Sequence, residues 1–298
     1  MIVVMENVVL YIGFVLLGLC MGSFAGATTW RLRAYQLKGD KKDGQKVNEA
    51  EYKRLLPLTK AKLSNDRSRC LHCGYELRWY DLIPVFSWLS LGGKCRQCRH
   101  KIGSFELLIE LGTAAFFVAS YALWPDALST WYGVTHLVLW LVAGVALAIL
   151  FAYDAKWFLL PDRVTLFAGS IGGVVAIMSI ITATQPLMQL LSVLGSVAVL
   201  GGIYWLLYEI SRHKWVGFGD VKLGLALGLL LADWRLAFIA LFAANLVGSL
   251  LVLPGLVTGK LKGSSHVPFG PLMIVGAVIA QLVGPDLVTY YLQHFLIY

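Results

Sequence analysis

An all-α, polytopic membrane protein of about eight transmembrane helices with a cytosolic zinc-ribbon-like loop is predicted from three observations: composition, the spacing of the apolar runs and the sidedness of the basic residues. Of 298 residues, 58% are hydrophobic and only 14% charged, and the mean hydropathy is +0.71, a profile foreign to soluble domains. Apolar stretches long enough to cross about 30 Å of hydrocarbon fall near 8 to 28, 105 to 124, 133 to 153, 165 to 183, 189 to 210, 221 to 232, 235 to 256 and 271 to 294, the sixth being short. The expected organisation is therefore a first transmembrane helix (1–28), a cytosolic loop domain (29–104) and a helical membrane core (105–298).

The first stretch opens MIVVMEN with no basic residue before it, and Arg31 and Arg33 follow it. That charge order predicts a retained outside-to-inside anchor rather than a cleaved leader. Residues 29 to 104 hold 17 of the 25 Lys and Arg, seven more lie in the loops after the third, fifth and seventh spans and at Lys222, and only Arg235 falls opposite. Basic residues collect on the cytoplasmic side, so both termini are expected outside. The formal charge of +8 then belongs to the inner face and its anionic headgroups, and nucleic-acid binding is not expected.

Within the polar region, residues 38 to 68 read as a charged linker with a short helix around Glu49 to Arg54 ending near Pro57. Cys70-Leu71-His72-Cys73 and Cys95-Arg96-Gln97-Cys98 form two CxxC knuckles. Such knuckles present four thiolates to a soft divalent ion, and zinc in a closed four-sulfur site would hold the loop together without performing chemistry. Disulfides or free thiols are the alternatives, the first disfavoured on a reducing face. His72 and His100 flank the knuckles and are expected in solvent, and Cys20 is expected to pack within the first span. The run Trp79-Tyr80-Asp81-Leu82-Ile83-Pro84-Val85-Phe86-Ser87-Trp88-Leu89 is too apolar for a solvated loop and too interrupted to span. It predicts a segment resting at the interface, a wall for a membrane-inserted substrate.

Carboxylates at span ends come next, because acids are expensive in lipid. Glu6, Asp126, Asp233 and Asp286 are expected in outer solvent. Glu106 and Glu110 share a helical face and can favour the helix N-terminus, pair with Arg99 or Lys101, or touch a ligand. Asp154 and Asp162 bracket a short loop, and Asp162 can cap the fourth helix. Asp220 stands in Gly217-Phe218-Gly219-Asp220, where glycines allow another backbone to approach. Lys222 reads as snorkelling, although it can also tune Asp220. Gly224 and Gly228 read as a packing seam, and His266 as interfacial.

Two aspartates can hydrolyse a peptide bond when one ionised carboxylate takes a proton from water and the other, protonated, polarises the carbonyl. Neither an HExxH run nor a GxSxG elbow is present, and Ser211 and His213 lack a nucleophile arrangement. The residues resemble the type IV prepilin peptidase family, membrane aspartyl proteases of the GxGD kind, along nearly the whole chain. Gly22-Ser23-Phe24 with Arg31-Leu32 looks like the family's opening segment, and the two knuckles around WYDLIPVFSWL like its cytosolic zinc loop. Asp154 with Leu160-Pro161-Asp162 and then GFGDVKLG look like its two catalytic segments, and Val267-Pro268-Phe269-Gly270-Pro271 like its closing motif. Gly26, Arg33 and Leu71 depart from the family's Asn, Pro and Pro, and none of these departures removes an acid.

The resemblance implies Asp154 and Asp220 as the catalytic pair, with Gly217, Gly219, Lys222 and Asp162 supporting the catalytic loops. It implies removal of a short basic leader from type IV prepilins or pseudopilins in the bacterial inner membrane. For members with the cysteine loop it also implies methylation of the new amino group from S-adenosylmethionine. Two other classes account for parts of the pattern. An ion-coupled transporter would use the carboxylates as ion ligands, but no two-half repeat is apparent and the acids gather at one face. A zinc-stabilised scaffold of pilus assembly has no use for the glycines around Asp220.

Overall fold

The computed structural model describes residues 2–59, 67–259 and 267–295; the expectations for Lys260, Lys262 and His266 fall outside them. Among the described residues no strand forms, and seven helices are long and apolar enough to cross a membrane. The expected short sixth span is the 14-residue helix Phe218–Leu231, about 21 Å long at 1.5 Å per residue. The chain divides into two compact units, Met1–Val118 and Ala119–Tyr298.

In the first unit, α1 (Ile2–Lys42) continues well past the expected end at residue 28. Residues 29–42 contain no proline, so the backbone ladder persists after the helix leaves the apolar stretch. Hydropathy marks where a helix exits lipid, which here is not where it ends. The segment α2 (Glu49–Leu55) starts on Asn48, whose side chain accepts from the N–H groups of Ala50 and Glu51 at 3.1 Å each, as an N-cap should. The guanidinium of Arg33 forks onto Glu51 at 3.2 and 2.9 Å, a use for the departure at that position. A 3-10 turn, Leu56–Thr59, follows where Pro57 was expected to end the helix. The aromatic run folds as a 3-10 turn, Trp79–Leu82, and a short helix, α3 (Phe86–Ser90). Trp79, Phe86 and Leu89 are exposed on it.

Helix α4 (Phe105–Ala122) lies directly on α1. A Cβ at Gly18 would stand 2.6 Å from the Ala114 Cα, and one at Gly22 2.6 Å from the Glu110 Cα. Only glycine permits that backbone contact. Of the alternatives open for Glu106 and Glu110, the ion pairs with Arg99 or Lys101 do not form. Glu106 accepts from the Trp30 indole N–H at 2.9 Å, and buried Glu110 from the Val85 N–H at 2.7 Å. The α1 helix supplies the first donor and the aromatic run the second. Cys20 is exposed on α1 rather than packed.

The second unit holds α5 (Trp131–Trp157), α6 (Asp162–Thr182), α7 (Pro186–Val197), α8 (Ile203–Ile210), α9 (Phe218–Leu231), α10 (Trp234–Val257) and α11 (Gly270–Phe295). A π-helical turn, Ala198–Gly202, joins α7 to α8. Two expected solvated acids have partners here: Asp126 meets His136 Nδ1 at 2.6 Å, and Asp233 caps α10 by accepting from the Arg235 N–H at 2.7 Å. Asp233 sits at a helix N-terminus, where free N–H groups and the helix dipole favour an acid.

Too short to cross lipid alone, α9 is sheathed by its neighbours, with Leu223, Leu227 and Leu230 at most 1% exposed. Its glycines form the expected seam. A Cβ at Gly224 would collide with the Leu200 carbonyl, and one at Gly228 would come 2.8 Å from the Val197 Cα. The Ser196 hydroxyl donates to the Gly228 carbonyl at 2.7 Å.

Candidate active site and metal centre

The cysteine loop is built from two similar knuckles. In each, the residue after the second cysteine takes a left-handed conformation, Gly74 at φ 75° and Arg99 at φ 56°. The carbonyl of the first cysteine accepts from that residue, Gly74 N–H to Cys70 at 2.9 Å and Arg99 N–H to Cys95 at 3.0 Å. One isolated bridge flanks each turn, Arg69 with Glu76 and Lys94 with Lys101. The turns converge so that the sulfurs of Cys70, Cys73, Cys95 and Cys98 all lie within 4.8 Å of one another.

Cys70 and Cys98 are 3.9 Å apart, and Cys73 and Cys95 4.0 Å. Tetrahedral zinc with Zn–S bonds of about 2.3 Å requires sulfurs roughly 3.8 Å apart, whereas a disulfide needs about 2.05 Å. The donor set therefore fits a divalent ion. Burial pushes the Cys70 thiol up to about 12. At Cys95 burial acts in the same upward sense, but backbone N–H groups of Cys98 and Gln97 and the thiols of Cys70 and Cys98 outweigh it, lowering it to about 7. His72 and His100 stack on each other at 4.0 Å and stand exposed, as expected. Asp81, from the aromatic run, accepts from Arg96 between the second pair of cysteines at 2.7 Å, tying the run to the knuckle. Elemental analysis of purified protein is expected to give about one zinc per chain, and Cys70→Ser with Cys73→Ser to remove most of it. A folded wild type free of metal would contradict the centre.

The carboxylates lie at helix ends of the second unit. Asp154 falls in the last turn of α5, which continues to Trp157 rather than stopping at 153 and closes on Phe158 in the left-handed region at φ 57°. It is 5% exposed. Its Oδ2 accepts from the Gly270 N–H at 3.0 Å, the first residue of α11. An added Cβ at Gly270 would stand 2.8 Å from that oxygen. Glycine there leaves room for the carboxylate, and the helix N-terminus directs an N–H at it.

Asp220 sits inside α9 rather than ahead of it, and its Oδ2 accepts from the Gly217 N–H at 3.2 Å. The acid thus caps its own helix and is held in one orientation. Gly219 faces Leu160, whose Cβ would be 3.2 Å from an added Cβ. That contact draws the loop after α5 against the start of α9.

Two supporting residues differ from expectation. Asp162 does not cap α6: Pro161 occupies the cap and Asp162 is the first helical residue, its side chain largely exposed. Lys222 does not snorkel alone. Its Nζ donates to Asp162 Oδ1 at 2.7 Å and lies 4.9 Å from the centre of the Phe218 ring. Two long-range loops meet here, which sequence separation conceals. Both side chains are partly or largely exposed, so the pair contributes on the order of 0–1 kcal/mol and serves mainly to set register between α6 and α9. In sequence Gly270 has a place only in the closing motif; a glycine opening an apolar helix is the available signal of a close approach.

Helices with backbone-oriented carboxylates at their ends, Asp154 buried and Asp220 half-buried, and a four-sulfur loop define a polytopic membrane protein with hydrolytic potential. Residues 16–124 match the Bacterial Peptidase A24 N-terminal domain and residues 140–253 the Type IV leader peptidase family. The chain is 32% identical over 283 residues to a prepilin leader peptidase/N-methyltransferase of Dichelobacter nodosus, covering 90% of this chain and 93% of that one. A protein so described from Pseudomonas aeruginosa is 28% identical over 286 residues, 94% and 92% of the two chains. The type 4 prepilin-like proteins leader peptide-processing enzyme of Escherichia coli is 31% identical over 269 residues, 88% and 89%. No solved structure matches the chain significantly. The chain belongs to the type IV leader peptidase family and is a membrane peptidase.

Proposed function

We propose that this chain is an aspartyl endopeptidase that removes the basic leader of type IV prepilins or pseudopilins at the cytosolic membrane boundary, with Asp154 and Asp220 as the reacting pair. The observation that carries the reading is the way backbone N–H groups aim both acids, Gly270 at Asp154 and Gly217 at Asp220. Such preorientation has no role in a scaffold.

In the reaction one carboxylate takes a proton from water as the water oxygen bonds to the scissile carbonyl carbon. The other, protonated, gives its proton to the carbonyl oxygen, forming a gem-diol. The carbon–nitrogen bond then breaks as the first acid returns its proton to the leaving amine, and a gem-diol hydroxyl proton reprotonates the acidic partner's site. One water is consumed, and a leader carboxylate and a free pilin amine result. The supporting geometry at Gly217, Gly219, Lys222 and Asp162 keeps the two loops in register. Cys70, Cys73, Cys95 and Cys98 would hold zinc, which supplies cross-linking of the loop.

The distribution of basic residues supports outside termini and a cytosolic site, the side on which a positively charged leader remains. The relatives' N-methyltransferase description supports transfer of a methyl group to the new amine from S-adenosylmethionine. A synthetic prepilin incubated with purified protein, with and without S-adenosylmethionine, is expected to lose its leader in both cases and to gain a methyl group in one, as read by mass spectrometry. An uncut substrate would overturn the peptidase reading for this substrate class; a cut but unmethylated product would overturn only the second activity.

A further inference from the structure

Tyr204, on α8 just beyond the π-helical turn, is only 3% exposed. Its ring meets the Phe269 ring edge-on at 5.4 Å, and Phe269 immediately precedes the Gly270 whose N–H holds Asp154. The tyrosine therefore adjoins the turn that holds Asp154. Yet among the described residues its hydroxyl oxygen is buried and has no hydrogen-bond partner. Buried hydroxyls are nearly always paired, and an orphan asks for an explanation. Phenylalanine would pack on Phe269 equally well, so the ring does not account for the hydroxyl. π-helical turns inside α-helices frequently mark functional positions, and this one sets where Tyr204 falls.

We propose that Tyr204 is a third polar group of the cleavage site, its O–H donating a hydrogen bond to the oxygen held by Asp154 and Asp220. That oxygen is the water before attack and a gem-diol oxygen after it. The phenolic proton stays on the tyrosine throughout, so no acid or base is added to the two aspartates. The partner missing from the protein is supplied by the reacting species, and a donor aimed where charge develops strengthens in the transition state. The inference rests on the paired-acid reading above.

Tyr204→Phe keeps the contact with Phe269 and removes only the oxygen. Turnover of a synthetic prepilin is expected to fall by about 10- to 100-fold with KM changed by no more than about twofold and the melting temperature undiminished. Binding of a pilin peptide carrying a statine-type hydroxyl at the scissile position should weaken by about 10-fold, whereas its deoxy analogue should bind as before. A merely structural tyrosine predicts unchanged turnover, or equal weakening of both peptides; either result overturns the proposal. Asp154→Asn and Asp220→Asn are measured beside it. If those two are inactive and Tyr204→Phe is fully active, only this inference falls, whereas full cleavage by either aspartate variant removes the paired-acid reading and this one with it.

Discussion

Asp154→Asn and Asp220→Asn, made singly, are each expected to lower prepilin turnover by about 10³-fold or more while the protein still inserts and melts near the parent temperature. The asparagine side chain fills the same volume and its oxygen can still accept the Gly270 or Gly217 N–H, so the local packing survives. What is lost is the ability to exchange a proton with water or with the carbonyl oxygen. The two variants should be about equally inactive, because the reaction needs an acid and a base together and neither acid alone provides both. A discontinuous assay by mass spectrometry on detergent-solubilised protein measures this over the required range. A scaffold would lose nothing in leader removal, having none to lose, and an ion-coupled transporter would lose flux instead.

Gly270→Ala is expected to lower turnover by about 100-fold without unfolding the protein. Its backbone does not take the left-handed conformation, so alanine is tolerated locally. The new methyl group would nevertheless sit 2.8 Å from Asp154 Oδ2 and 3.3 Å from its Cγ, inside contact distance. Either the carboxylate swings away or α11 withdraws, and both stretch the 3.0 Å hydrogen bond that orients the acid. A displacement near 1 Å at a reacting group costs on the order of 100-fold. Steady-state kinetics alongside a thermal melt distinguish this from instability: the expected pattern is reduced kcat at a near-parental melting temperature. Gly173→Ala, with nothing within 4 Å of its added Cβ, serves as the control.

Much of this architecture was legible in the sequence because membranes impose it. Apolar runs of about 20 residues must become helices, since only internal hydrogen bonding satisfies the backbone in lipid, and the helices fall where the runs do. The boundaries were less legible. α1 continues to Lys42 because a helix without proline has no reason to stop where the lipid does, and α5 carries Asp154 within its last turn. The four cysteines were legible because two short spacings constrain four ligands almost completely.

Contacts between distant segments were not legible. Nothing in the local pattern links Lys222 to Asp162, Gly219 to Leu160 or Gly270 to Asp154, since each pair meets only after the intervening helices have packed. Glu106 and Glu110 illustrate the same limit. Arg99 and Lys101 were possible partners in sequence, but the fold gives Glu106 the Trp30 indole N–H and Glu110 the Val85 N–H instead. A glycine with a role in close approach is visible in sequence only as a glycine; its partner is a property of the fold.

The most direct test is an experimental structure of the protein in lipid with a pilin peptide whose scissile bond is replaced by a statine-type hydroxyl. The paired-acid account predicts that hydroxyl within hydrogen-bonding distance, about 2.5–3.0 Å, of carboxyl oxygens from both Asp154 and Asp220. A bound peptide whose hydroxyl touches only one of the two acids, with the other turned away, would contradict it.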